Sequence, residues 1–447
     1  MSLEEIGRPG KAEGPGNTEL AADAGLAADA GLAAGTEGLL AQPRLAEPTL
    51  AEMVAASGLR RIHLLAWRDL DDPEAGGSEL HADRVASAWA AAGLDVSLRT
   101  AAAPGFPQRT RRNGYDVIRK AGRYSVFPRT ALSGAIGRTG PRDGLVEIWN
   151  GMPFFSPIWA GCPRIVFLHH VHAEMWRMVM PGPLARVGET IEFKIAPPFY
   201  RRTRILTLSE SSRREIINLL GMSPAMVSVS PPGIEERYHP AGERSPHPLV
   251  VAVGRLVPVK RFDLLVDALV KLRAEHPTLQ AVIVGEGYER PALEARIAAA
   301  GATGWLTLPG RVDDDDLLEL YRRAWVLTST SAREGWGMTI TEAAACGTPA
   351  VATKIAGHTD AVADGLSGLL VEDPTDLFGA LNLVVSDPAV RGRLSAGALT
   401  HAAGFTWGAA ARKTFAALAA EAAARPGSNP PAPPAPRSAP GNGGPRR

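Results

Sequence analysis

Cysteine is nearly absent. Only Cys162 and Cys346 occur in 447 residues, which excludes a disulfide framework or a cysteine-built zinc cluster and suits a reducing compartment. Both read as small core residues. Long apolar runs are missing as well: nowhere do about 18 apolar residues follow one another, so no membrane-spanning helix is expected. An excess of one charge is also lacking, with 48 Lys and Arg against 47 Asp and Glu for a net +1. No global field would hold such a chain on nucleic acid or an acidic membrane, and any such contact must be local. Where a secretion signal would carry basic residues before an apolar stretch, the chain has Glu4 and Glu5. A cytoplasmic location is the expectation.

What is present is length and alternation. The chain is long enough for two ordinary domains plus tails. Residues 1–56 are rich in Ala, Gly and Glu, with a near repeat at Ala21 and Ala27, and 426–447 are rich in Pro, Gly, Ser and Arg. Neither segment has the bulky apolar surface that offsets ordering entropy, so both read as disordered tails. Between them, β-type runs such as Arg61–Trp67, Leu145–Trp149, Arg164–His169 and Arg204–Ser209 alternate with helical patterns. A Pro-rich break spans Ser230–Pro248, and a second series of strands and helices then runs from Leu249 to Thr353. Two such series predict an α/β protein of two doubly wound, Rossmann-like domains, 57–240 and 241–404, with a helix at 405–425 returning to the first. Ligands of open α/β sheets bind at the carboxyl ends of the strands, so paired domains place both loop sets around one cleft.

Three segments carry chemistry. In Glu74-Ala-Gly-Gly-Ser-Glu, Gly76 and Gly77 let backbone approach a ligand at a helix N-terminus. In Val253-Gly-Arg-Leu-Val-Pro-Val-Lys-Arg, Arg255 and Lys260 lie past a strand end, where two cations can neutralise a diphosphate. In the segment from Ala332 to Pro349, Glu334 sits in a Gly-rich loop and can accept hydrogen bonds from sugar hydroxyls. The N–H groups of Gly335, Trp336, Gly337 and Met338 face an anion, with Thr339 next in line. Glu342, after seven intervening residues, can hold a ribose diol.

With these segments in place, the chain resembles the retaining glycosyltransferase family four of the GT-B fold, from about residue 60 to about 424. The likeness includes Ile283-Val-Gly-Glu-Gly, the Gly-Thr-Pro ending at Pro349 and Asp364-Gly-Leu-Ser-Gly-Leu-Leu-Val. It implies that Arg255 and Lys260 bind the diphosphate of a nucleotide-sugar donor, Glu342 its ribose and Glu334 the transferred sugar. It also implies that the base stacks near Gly310, Arg311 and Val312, and that His169 is the active-site histidine. A UDP- or GDP-sugar is the expected co-substrate, with no metal and no other cofactor, and a glycan, lipid-linked or small-molecule hydroxyl is the expected acceptor. Two departures stand out: Ala356-Gly-His-Thr-Asp360 replaces paired glycines followed by a glutamate, and His170 replaces an acidic neighbour of His169.

Rival readings of the same residues exist. The Asp-x-Asp patterns at Asp69–Asp72 and Asp313–Asp316 could hold a metal, although the latter opens a helix, where acids cap free N–H groups. His169, His170 and His172 could suggest zinc, but their spacing on a strand end points them to different sides. Gly285-Glu-Gly-Tyr-Glu-Arg lacks the third glycine of a dinucleotide fingerprint. A sugar-nucleotide epimerase, a sugar phosphorylase or a non-catalytic binding module would share the anion cradle. Between Met175 and Phe199, an amphipathic stretch near Lys194, Arg201, Arg202 and Arg204 reads either as core and rim or as a peripheral membrane patch, which would place the protein at the inner face of the membrane.

Overall fold

The computed structural model describes residues 47–425. The first sheet takes β1 (Arg61–Leu65), β2 (Asp95–Ala101), β3 (Arg109–Arg112), β4 (Tyr115–Ala121), β5 (Gly144–Trp149), β6 (Arg164–Leu168), β7 (Arg204–Thr207) and β8 (Val227–Val229). Their order is β3-β4-β2-β1-β5-β6-β7-β8. All neighbours run parallel except β3 and β4, an antiparallel hairpin. The second sheet takes β9 (Leu249–Val253), β10 (Gln280–Val284), β11 (Leu306–Gly310), β12 (Val326–Ser329), β13 (Ala350–Thr353) and β14 (Gly368–Val371), all parallel, in the order β11-β10-β9-β12-β13-β14. Strands such as β5 and β13 are buried along their whole length, as sheets covered by helices on both faces require.

Chain order reverses between β1 and β5 in one sheet and between β9 and β12 in the other. At such a reversal the loops leave in opposite directions and open a crevice past the strand ends. The loop after β1 leads to the helix Gly77–Ala91, and the loops after β9 and β12 lead to the helices Phe262–Glu275 and Met338–Ala345. These loops are the three segments singled out above.

The last helix, Trp407–Ala423, packs on the first sheet. Phe415 and Leu418 are buried in one cluster with Ile62 and Trp89, and the Trp89 indole donates to the Ala411 carbonyl at 3.0 Å. The same cluster holds Val54, from a helix at Leu50–Ser57. That helix corrects the expectation of disorder for all of 1–56. It is short, but Thr49 and Glu52 form a reciprocal capping box and Gly58 closes it in the left-handed region, which together satisfy the free ends. The remainder of both expected tails lies outside the described residues. The β3–β4 hairpin was not anticipated either, although its turn, Asn113-Gly114, has the positive φ at both residues typical of two-residue hairpins. Cys346 is buried as expected, whereas Cys162 is only half-buried.

Candidate functional site

Both chain reversals open onto one cavity of about 700 Å³. Its wall takes Gly76 and Gly77 from the loop after β1, His169 and His170 from the end of β6, and Arg255 and Lys260 from the loop after β9. Glu334 and the run from Gly335 to Thr339 complete it from the loop after β12. The halves touch here at backbone level. A Cβ on Gly335 would stand 2.9 Å from the His169 carbonyl oxygen, and one on Gly77 would stand 2.8 Å from the Met338 sulfur. Gly337 holds φ at +137°, a region L side chains rarely adopt, and so turns the chain into the helix Met338–Ala345.

Lys260 and Glu334 form an ion pair at the centre, each about one-fifth exposed. Ser331 Oγ also donates to Glu334 Oε1 at 2.9 Å. The loop is tied to the Lys260 turn by its backbone, since Ala332 N donates to the Val259 carbonyl at 2.7 Å and Thr330 Oγ1 to the Lys260 carbonyl at 2.8 Å. Burial alone would raise the Glu334 carboxyl, but the Lys260 ammonium, with help from His358 and Ser331, holds its pKa down at about 2. His358 lies fully buried and is anchored by Ser329 Oγ at 3.1 Å and the Thr353 carbonyl at 2.8 Å. Arg255 differs from Lys260: among the described residues it makes no ion pair or side-chain hydrogen bond.

Glu342 sits one turn deeper on the helix Met338–Ala345, off the cavity wall. The Tyr321 hydroxyl donates to its Oε2 at 3.1 Å. Burial, opposed by that bond and reinforced by nearby Glu235 and Asp314, pushes its pKa up to about 7. Arg311 and Val312 also lie off the wall, and Arg311 donates to the Pro73 carbonyl at 3.3 Å across the cleft. The Trp336 side chain is packed into the protein. It is 4% exposed and packs edge-on against Phe405 at 5.1 Å, so only its main chain is available to a ligand.

The histidines lie just past β6, which ends at Leu168, and point to different sides. His169 turns onto Phe167 and His81, with ring centroids at 5.0 and 5.3 Å. His170 and His172 stack face to face at 4.8 Å. Neither nitrogen of the His169 ring has a partner, and burial depresses its pKa well below the ordinary value. The following turn is held by Glu192, whose carboxylate accepts His172 N at 2.8 Å, Ala173 N at 3.2 Å and the Trp176 indole at 2.9 Å. No group of three or more His, Cys, Asp or Glu among the described residues is placed to hold a metal ion. Asp69 and Asp71 pair with the buried Arg119 and with Arg112 instead. Asp313 caps its helix through Asp316 N at 2.8 Å.

Sequence reasoning passed over three residues that bridge the cleft. Asp360 accepts Glu210 N at 2.7 Å and Ser211 N at 3.3 Å. Arg333 donates to the Val171 carbonyl at 3.0 Å and to Glu215 at 2.7 Å. Ser211 Oγ accepts Gly357 N at 2.8 Å.

Family profiles match both halves: Glycosyltransferase Family 4 over residues 75–238 and Glycosyl transferases group 1 over 235–400. A D-inositol 3-phosphate glycosyltransferase of Streptomyces bingchenggensis is 30% identical over 387 residues, covering 76% of this chain and 84% of the relative. The chain belongs to glycosyltransferase family four. A second relative of the same name, from Stackebrandtia nassauensis, is 36% identical over 224 residues. That match spans 45% of this chain and 51% of the relative, and two others span 66% and 62% of the relatives' lengths.

Solved structures of glycosyltransferases share the GT-B architecture. The sucrose-phosphate synthase of Thermosynechococcus elongatus superposes with a TM-score of 0.67 at 20% identity, over 79% of this chain and 97% of that one. Anabaena HepE in complex with UDP-glucose gives 0.62 at 18%, over 80% and 98%. No helix among the described residues is long and apolar enough to cross a membrane.

Proposed function

We propose that this family-four chain is a retaining glycosyltransferase that moves a sugar from a nucleotide-diphosphate sugar to an acceptor hydroxyl. The observation that carries the reading is the unpaired Arg255 sharing one cavity with the Lys260–Glu334 pair. A diphosphate supplies the missing partner for Arg255 and competes with Glu334 for Lys260. Glu334, freed in part, then accepts hydroxyls of the transferred sugar, while the N–H groups of Gly335, Gly337 and Met338 face the phosphates at a helix N-terminus. Glu342 takes the ribose and Arg311 and Val312 the base. His169 lines the side from which the acceptor enters. A UDP- or GDP-sugar is the proposed donor, consistent with the UDP-glucose complex of HepE. Acceptor attack comes from the face the nucleotide leaves, and the departing phosphate takes the proton. The protein's part is to stabilise charge growing on that phosphate and to exclude water.

Arg255 and Lys260 stand where a metal would otherwise serve, so turnover should persist in EDTA. Charge on the bridging oxygen grows as the glycosidic bond breaks, so both cations bind the transition state more strongly than the ground state. Arg255→Ala and Lys260→Ala should each lower kcat on the order of 10² to 10³, as loss of one preorganised donor does elsewhere. Steady-state kinetics on folded variants decides this: wild-type kcat in both would remove the diphosphate site. The protein's place is proposed to be the cytoplasm, peripherally at the inner membrane face.

A further inference from the structure

We propose that Glu74 is a resident counter-anion that makes the acceptor side of the cleft select against phosphate, so that the acceptor group beside Arg68 and Arg123 is an uncharged sugar or polyol. This rests on the glycosyl-transfer reading. Two guanidinium groups on the first-sheet wall, Arg68 and Arg123, would by themselves make a clamp for a phosphoryl oxygen pair. Glu74 already fills it. Arg123 Nη1 donates to Glu74 Oε1 at 2.7 Å while its Nη2 pairs with Oε2, and Arg68 Nη1 reaches the same Oε2 at 3.1 Å.

Arg68 also has a second carboxylate partner. Its Nε donates to Glu79 Oε1 at 3.3 Å, and the other Glu79 oxygen accepts Gly76 N at 2.8 Å. Two positive charges therefore meet two negative ones. Both guanidinium groups lie over the Trp67 ring, at 4.6 and 5.1 Å, and the Trp67 indole donates to the Arg123 carbonyl at 2.7 Å. These contacts hold the forks toward Glu74. The wall's cation without an ion pair among the described residues is Arg255, which the donor diphosphate uses.

An incoming phosphate on the acceptor would have to displace Glu74 or sit against it, and like charges at that range repel. A hydroxyl carries no such penalty and can both donate to Glu74 and accept from a guanidinium. The neighbouring surface suits the carbon face of a ring: Tyr124 is 61% exposed and Met178 43%, both on the cavity wall. The curated relatives carry a phosphorylated acceptor in their name, so the inference separates this chain from them.

The test titrates inorganic phosphate into the full chain with its donor site filled by UDP, or by GDP if UDP gives no thermal shift. Wild type is expected to bind no phosphate at millimolar concentration. Glu74→Gln is expected to gain affinity by about tenfold or more, the worth of a freed charged hydrogen bond, and Glu74→Gln with Arg123→Ala to lose it again. Equal phosphate binding by wild type and Glu74→Gln overturns the proposal. A second measurement needs no variant: nucleotide release from a donor sugar with matched phosphorylated and unphosphorylated polyols. Faster transfer to the phosphorylated member overturns the proposal. Absence of nucleotide release with every acceptor and with water sinks the parent reading instead, and the phosphate titration still decides the role of Glu74.

Discussion

Glu334 and Glu342 lie on one loop-helix segment, yet their surroundings push them apart. Glu334 stays ionised because Lys260 and Ser331 outweigh burial, whereas Glu342 has a single hydroxyl donor and two acidic neighbours. Burial pushes the Glu342 carboxyl up to about 7 in the folded protein, from an ordinary carboxylate value of 4.5. A carboxyl raised on folding favours the folded state fully below its unfolded value, and that contribution is lost as pH rises through the folded one. Between about pH 4.5 and 7, wild type should therefore lose stability that Glu342→Gln does not. Melting temperatures of the ligand-free pair at pH 5 and pH 8 check the sign; a difference that stays constant between the two pH values removes the argument. With donor present, Glu342→Ala should raise KM more than it lowers kcat, because a ribose contact is made equally before and during the reaction.

At the scale of elements, the helix Glu210–Leu220 gets its N-terminus completed from the other half of the molecule. Ser209 Oγ accepts Ser212 N at 3.0 Å, and Asp360 accepts the two N–H groups before it. Loss of an N-cap acceptor costs about 1 kcal/mol, and Asn is nearly as good a cap as Asp. Asp360→Ala should therefore lower the denaturation midpoint and Asp360→Asn should largely restore it. Since the bond spans the cleft, the ligand-free Ala variant should also show a larger radius of gyration in small-angle scattering. Wild-type radius and midpoint in Asp360→Ala would mean that the contact does not hold the halves together. This element was beyond sequence reasoning because donor and acceptor are 150 residues apart and neither segment carries a local signal for the other. The Asn113-Gly114 turn is the opposite case, a local signal present in the residues and simply not used.

For the molecule as a whole, strand-helix alternation made both sheets legible, and the rule that ligands bind past strand ends at a reversal put the loops of Gly76, Arg255 and Glu334 on one cavity. The acceptor-side wall was not legible, since Arg68, Glu74 and Arg123 become neighbours only through the fold. The outer surface carries the stretch that the sequence left open between rim and membrane patch. Leu184, Val187, Ile195 and Phe199 are all exposed, with Arg186, Lys194, Arg201 and Arg202 exposed around them, a pattern suited to an anionic lipid surface. The chain should co-float with vesicles containing acidic lipid at low salt, less so as salt is raised, and less again after Leu184→Ser with Phe199→Ser. Failure to float at any salt would return these residues to ordinary rim.

The last helix carries a consequence for biosynthesis. Trp89 leaves the ribosome 322 residues ahead of Ala411, the carbonyl its indole needs. At about 5–20 residues per second, that interval is roughly 16 to 64 s. During it, the nascent first half shows an apolar flank at Ile62 and Trp89 that Phe415 and Leu418 help to cover in the folded chain. A message cut short before codon 407 would leave that flank open for good.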